Sequence, residues 1–445
     1  MAGAGFLHGD ERADVILNIA RANIEVAKNR FVQTTAYNGN APGPLIRMRE
    51  GVPVTVDILN HTPRTEYVHW HGFNVSAALD GTEEEGSLAV PANGHLRYRL
   101  TPQLAGSRYV HSHLMAMDDL SLGVYSGQFA FVYVEPKRNP GRYDQEVFLA
   151  THEWEPRFVD ADDDDAAPAD EEIPGETDWG PPFAEIEYGI RSINGKALGH
   201  GEPIRVREGQ RVLFHLLNAS ATENIQLYLP GHEFLVTALD GNPVPNPRRV
   251  GVLELGAAER VDAVVEMKNP GVWILGSPDA DVRGTGLGVV VEYAGKSGVA
   301  AYVKPTSPRW DYRLFGHERA TARPDETIPL SIDRVVADGQ ERWLINGRSF
   351  DSRDEPQALR RGGRYRLVFS NKTGDDHPLH LHRHTFELTG IDGQPTSGIR
   401  KDVVVVRGFQ TVAVDVTPRD PGLALFHCHQ QMHMDMGFRK LFRIV

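Results

Sequence analysis

From His427 to His433 the chain reads HCHQQMH, and its only cysteine, Cys428, stands between two histidines with a third five residues on. One thiolate with two imidazoles is the ligand set of a blue-copper site, which takes a weak or absent axial group. Cys428, His433 and His377, the first residue of HPLHLHRH, are the candidates for that set. In extended chain the side chains alternate between faces. His427 and His429 therefore point away from the metal that Cys428 would hold, and they need a second metal site next door.

Three further His-x-His pairs can build it: His69-Trp-His71, His111-Ser-His113 and His380-Leu-His382. With His427 and His429 they make eight imidazoles in four pairs. A single such pair arises readily by chance, and a lone histidine is ordinarily a surface or satisfied core residue. His8, His61, His95, His152, His200, His215, His232, His317 and His384 fit that description and are assigned no metal.

The four segments HWHG, HSH, HPLHLH and HCHQQMH, in this order, resemble the multicopper oxidases, the family of laccases, ascorbate oxidase and ferroxidases. The resemblance runs over nearly the whole chain. It implies four coppers: a type 1 copper on His377, Cys428 and His433, and a type 2 copper on His69 and His380. Two type 3 coppers would take His71, His111, His113, His382, His427 and His429. It also implies dioxygen and a small reducing substrate as partners, and an exported location, although MAGAGFLHGD shows no basic segment followed by an apolar one.

The elements that must hold these residues are strands. Short runs such as VTVDIL, FAFVYV, RVLFHLL, LGVVVEY, YRLVF, KDVVVV and TVAVDV are broken by Gly, Pro and Asn, and helical periodicity is scarce. In TVAVDV, Val412, Val414 and Val416 alternate with Ala413 and Asp415, the period of a half-buried strand. An Asn-Gly turn followed by a β run ending in Asn occurs at Asn38–Asn60, Asn194–Asn218 and Asn346–Asn371, and an Asp-Gly marker follows each, at Asp80, Asp240 and Asp392. Repeats of this length mean duplicated domains rather than a solenoid. The reading is all-β, with three Greek-key β-sandwiches over 1–138, 139–300 and 301–445; the resemblance makes them cupredoxin-like. Aligning the copies puts Tyr228 and Pro230 where the outer two have His-x-His. The middle domain is therefore expected to be a spacer and a wall of the substrate cleft, with three coppers at the interface of the outer two.

The chain has 445 residues, 24% charged and 40% hydrophobic, ordinary for a globular protein of several domains. No stretch approaches the roughly 18 apolar residues of a membrane span. The net charge of −13 argues against nucleic acid, and one cysteine excludes an intrachain disulfide. Eight acids without a basic residue at Asp160–Glu172 read as a solvated loop.

By the resemblance, Phe438 occupies the axial position of the blue site. Its ring cannot ligate, which favours copper(I) and a high potential. Relatives carry acids where this chain has Gln431 and Met434, a departure. Asp80 matches an acid near the type 2 copper and is the candidate proton donor, with Asp118, Asp119 and Asp435 as others. Met115, Met117, Met432, Met434 and Met436 sit beside the copper motifs, where packing explains them better than a cuprous entry site. The expected activity is laccase-like: one-electron oxidation of phenols or aromatic amines coupled to four-electron reduction of dioxygen to water. The rivals are a metal-ion oxidase acting on Cu(I), Fe(II) or Mn(II), and a non-catalytic copper-binding relative.

Overall fold

Alternation decides which side of each strand is buried. Tyr365–Asn371 turns every second residue into the core, and Val54–Asn60 does the same at its C-terminal end. The computed structural model describes residues 12–139, 141–160, 184–305, 310–337 and 340–445. Its strands form six sheets that pack as three two-sheet sandwiches, the cupredoxin-like Greek-key fold repeated in series. Each sandwich opens the same way. Val15–Ala27 runs antiparallel to Arg30–Tyr37 and parallel to Val54–Asn60. Gln145–Asp160 stands likewise between Ala184–Ile193 and Arg211–Asn218, and Glu326–Ala337 between Gln340–Ile345 and Tyr365–Asn371. The proposed domain boundaries fall in the connections after Phe129–Glu135 and after Gly288–Tyr293.

The Asn-Gly repeat has a physical reason. Asn38, Asn194 and Asn346 all take positive φ, and each following glycine does too. Each asparagine side chain then clamps the opening strand: it accepts from the N–H of Asn18, Ala150 or Ser331 and donates to the carbonyl of Ile16, Phe148 or Pro329.

Two expectations change. KDVVVV is a corner, not one strand: Gln394–Lys401 ends in the six-stranded sheet and Val403–Val406 begins in the five-stranded one. The break falls at Asp402, whose side chain is drawn into a buried ion pair. Asp415 is buried rather than half-exposed, because Arg364 and Arg366 both reach its carboxylate at 2.7 Å. Among the described residues, no helix is long and apolar enough to cross a membrane.

Candidate metal centres

Two antiparallel strand pairs carry the histidines. Val68–His71 pairs with Gly106–Ser112 so that His69 stands opposite His111, and His377–Leu381 pairs with Gly422–Cys428 so that His380 stands opposite His427. Each His-x-His puts both rings on one face of its strand. The two faces meet where the first and third sandwiches touch. There His69 stacks on His382 at 4.0 Å between ring centroids and His71 on His380 at 3.8 Å. All eight imidazoles are buried.

Five of the rings have their outer nitrogen engaged. The Nδ1 atoms of His69, His111, His380 and His427 donate to the carbonyl oxygens of Asp80, Ser112, Asp402 and Cys428 at 2.7–2.9 Å, and His382 Nδ1 donates to a carboxylate oxygen of Asp80 at 2.7 Å. A carbonyl can only accept, so these rings keep their Nε2 lone pairs. Those lone pairs face one another. The Nε2 atoms of His69, His71, His111 and His380 are buried without a hydrogen-bond partner, as are both ring nitrogens of His113 and Nδ1 of His429. His382 Nε2 and His427 Nε2 stand 2.9 Å apart. Burial, with neighbouring imidazoles adding to it, holds the ring pKa values of His71, His111, His113, His380, His382 and His429 well below the ordinary range. Neutral rings with converging lone pairs can hold a metal ion, and outer hydrogen bonds that fix the tautomer are how such ligands are oriented. Donor atoms of His69, His380 and His382, of His69, His71 and His111, and of His113, His382 and His427 lie within 4.8 Å of one another in each set.

The second cluster is on the other face of the same strand. Cys428 Sγ lies 3.9 Å from His377 Nδ1 and 3.6 Å from His433 Nδ1. Metal bonds of about 2.3 Å to sulfur and 2.0 Å to nitrogen, opened to a trigonal angle, separate the donors by about 3.7 Å, so the three fit one ion. Burial pushes the Cys428 thiol well above its usual range and His433 down to about 3; a metal binding here releases the thiol proton. Phe438 packs its ring 5.1 Å from that of His377, and its backbone bonds both Cys428 N–H and His433 C=O. Trp343 lies 4.7 Å from the His377 ring and 4.2 Å from the His433 ring, and stacks on Phe438 at 5.5 Å.

The other candidates separate clearly. Asp80 is fully buried, with Oδ2 also 3.2 Å from His69 Nδ1. Asp118 is exposed, and Asp119 holds Ser121 and Arg64 near the surface. Asp435 is buried but clamps the loop N–H groups of Ala116 and Met117 and the Gln431 amide; burial raises it to about 7. Gln431 bridges Leu114, Val124 and Asp435. Met432 and Met434 are buried, Met115 accepts from Arg439 through its sulfur, and Met117 is exposed. Among the histidines assigned no metal, His152 and His384 are buried with Nδ1 on a carbonyl, and His215 pairs with Asp262. His8 and, apart from the backbone of Asp160, the acidic stretch lie outside the described residues. Tyr228 ends the strand Ile225–Tyr228 opposite Gly276, where the third sandwich has His380 opposite His427.

Three family models, each described as multicopper oxidase, match residues 18–139, 188–292 and 322–444. The chain belongs to the multicopper oxidase family. Multicopper oxidase MmcO of Mycobacterium tuberculosis is 29% identical over 432 residues, covering 92% of this chain and 82% of the relative. Two solved structures show the same fold. A multicopper oxidase from Campylobacter jejuni, described as a metallo-oxidase, has a TM-score of 0.73 at 19% identity and covers 98% of this chain and 93% of its own. A laccase from Botrytis aclada has a TM-score of 0.74 at 18% identity, over 96% and 87%.

Several residues of this multicopper oxidase lie against its histidines without standing out in the sequence. Tyr109 donates to or accepts from His429 Nε2 at 3.0 Å and stacks on His111 at 4.8 Å. It stands two residues before His111, so strand alternation alone puts it on that face. Glu85 is buried 3.8 Å from His382 Nδ1 and accepts from the Leu425 N–H; burial and the neighbouring Asp80 push its carboxyl up. The middle sandwich of the oxidase reaches the cluster through Arg260 Nη1, 3.4 Å from His71 Nδ1. Asp402 stands beside His71 and His380, with a carboxylate oxygen within 4.8 Å of a ring nitrogen of each, and both its oxygens accept from Arg260 at 2.6 Å.

Proposed function

We propose that this oxidase is laccase-like and holds four coppers, with phenols or aromatic amines as its reducing substrates. Bound at these residues, copper supplies one-electron acceptance at the thiolate cluster and four-electron reduction of dioxygen at the histidine cluster. His377, Cys428 and His433 would hold the blue copper of this reading, with the Phe438 ring packed beside them and offering no donor. The eight paired histidines would hold the other three coppers. His427-Cys428-His429 joins the two clusters through one backbone segment, a short electron path. Asp80 is the proton donor, since its Oδ1 is buried with no partner while Oδ2 orients His382.

One observation favours an organic substrate. A cleft of about 700 Å³ between the middle and third sandwiches borders Asp376, next to His377, and is walled by Trp310, Tyr312 and Phe409. Every acid in its lining has a partner on at least one oxygen. Glu223, Glu254 and Asp311 pair with Arg191, Arg407 and Arg313, and Glu259 with Lys401. Asp279, Asp376 and Asp392 accept backbone N–H groups. A metal-ion substrate needs free oxygen or sulfur donors, whereas an aromatic one needs ring surface and a few polar contacts. The metal-ion reading rests on the exposed Met117 and the methionines around His433. Steady-state oxygen uptake decides: kcat/KM for a substituted phenol should exceed those for Cu(I), Fe(II) and Mn(II). The reverse ranking replaces this reading with the metal-ion one, and no uptake with any donor by copper-loaded protein leaves the non-catalytic relative.

A further inference from the structure

Resting on the copper assignment above, we propose that Arg260 of the middle sandwich is a positioning residue for the three-copper centre, acting on His71 directly from its Nη1 at 3.4 Å and, through Asp402, on His71 and His380.

The geometry is a relay across all three sandwiches. His71 of the first and His380 of the third stack face to face, and one residue, Asp402, serves the outer edge of both. Its backbone carbonyl accepts from His380 Nδ1 at 2.7 Å, and its carboxylate Oδ1 lies 3.5 Å from His71 Nδ1. Arg260 grips that carboxylate with both terminal nitrogens at 2.6 Å, the planar fork that fixes direction as well as charge. Arg260 is itself pinned from two sandwiches, donating to Ala258 C=O at 3.0 Å and to Ser107 C=O at 3.3 Å. Asp240 completes the frame by accepting from the N–H groups of Arg260, Asp402 and Val403 at 3.0–3.2 Å.

The sequence carries an independent trace of this contact. Gly72, which closes HWHG, has φ +81°, and a Cβ there would come within 2.6 Å of Arg108 Cδ, 2.7 Å of Arg260 Nη2 and 2.9 Å of Asp402 Oδ2. The glycine leaves room for the ion pair to lie against the strand that carries His71. A domain with no metal ligand of its own thus fixes the orientation of ligands from both neighbours.

Arg260→Lys keeps the charge and removes the fork. Lost orienting partners cost about 10–100-fold in metal affinity. Copper should therefore leave the histidine cluster of Arg260→Lys at that much lower chelator concentration, with a weakened or altered type 2 electron paramagnetic resonance signal. The blue absorption of the Cys428 site, in the same sample, should stay at full strength. Asp402→Asn keeps the carbonyl for His380 and the side-chain volume, so it tests the His71 contact even if Arg260→Lys misfolds; it should weaken the same copper. Arg108→Lys is the structural control. Arg108 is buried at the same junction, donates to the Asp240 and Ser107 carbonyls, and touches no histidine. It should lower the melting temperature and leave copper release unchanged. Four coppers in the wild type with the same release profile in Arg260→Lys and Asp402→Asn would overturn the positioning role. About one copper in the wild type would overturn the assignment beneath it.

Discussion

Asp80 and Asp240 stand at matching points of the first and middle sandwiches, each followed by a glycine of positive φ. Their surroundings differ in how much acceptor capacity is used. Asp240 is the first residue of a tight hairpin turn, and its two oxygens meet three backbone N–H groups and the Lys401 ammonium at 3.0 Å. Asp80 ends a single-turn helix, Ala77–Asp80. It has imidazoles for partners, a second buried carboxyl, Glu85, beside it, and one oxygen with none. A saturated carboxylate is structural; a dry one with an unused oxygen has room for a proton. The third copy, Asp392, is exposed and accepts from Thr411 N–H and the Gln410 amide.

The sharpest break of this contrast is Asp80→Asn. It keeps an acceptor for His382 but cannot exchange a proton, so turnover should fall by about 10²–10⁴-fold while the melting temperature of copper-loaded protein barely moves. Oxygen uptake within about threefold of wild type would make Asp80 structural, like its counterpart. Asp240→Asn should do the opposite. Breaking a buried ion network costs about 3–5 kcal/mol, visible as a shifted denaturation midpoint, and turnover per folded molecule should change far less.

A third carboxyl extends the comparison away from the metals. Burial, with Glu223 adding to it, raises Glu153 of the middle sandwich to about 8. The folded chain then holds that proton more tightly than the unfolded one. Its contribution to stability therefore falls as pH rises from about 4.5 to about 8. Glu153→Gln should flatten that decline without moving the pH profile of turnover. The smallest effect belongs to Asp392→Asn: within about 0.5 kcal/mol in denaturation, because an amide oxygen can still accept from Thr411.

These contrasts mark where the sequence stops speaking. His69 to His429 were legible because strand alternation converts His-x-His directly into one face, and the sandwiches because Asn-Gly recurs with the same clamp. Asp-Gly was readable as a turn in all three copies, yet nothing local separates a saturated Asp240 from an unsaturated Asp80; that depends on what two other sandwiches bring against it. Arg260 and Asp402 were hidden for the same reason. A charged residue at the edge of an apolar run looks solvated until a second domain buries it. Trp343 reaches His433 from the neighbouring hairpin, a contact with no sequence spacing to betray it.

The crossing of His69 over His382 and His71 over His380 also sets a schedule. Tyr109 and His429 touch across a separation of 320 residues. While the chain is being synthesised, the first sandwich can close around half of the imidazoles long before the other half exists. It must wait, with its rings exposed and able to pick up stray ions, until the third sandwich arrives. Any metal that needs both halves of the cluster can therefore be held only by the finished molecule, in which the middle sandwich reaches both halves through Arg260.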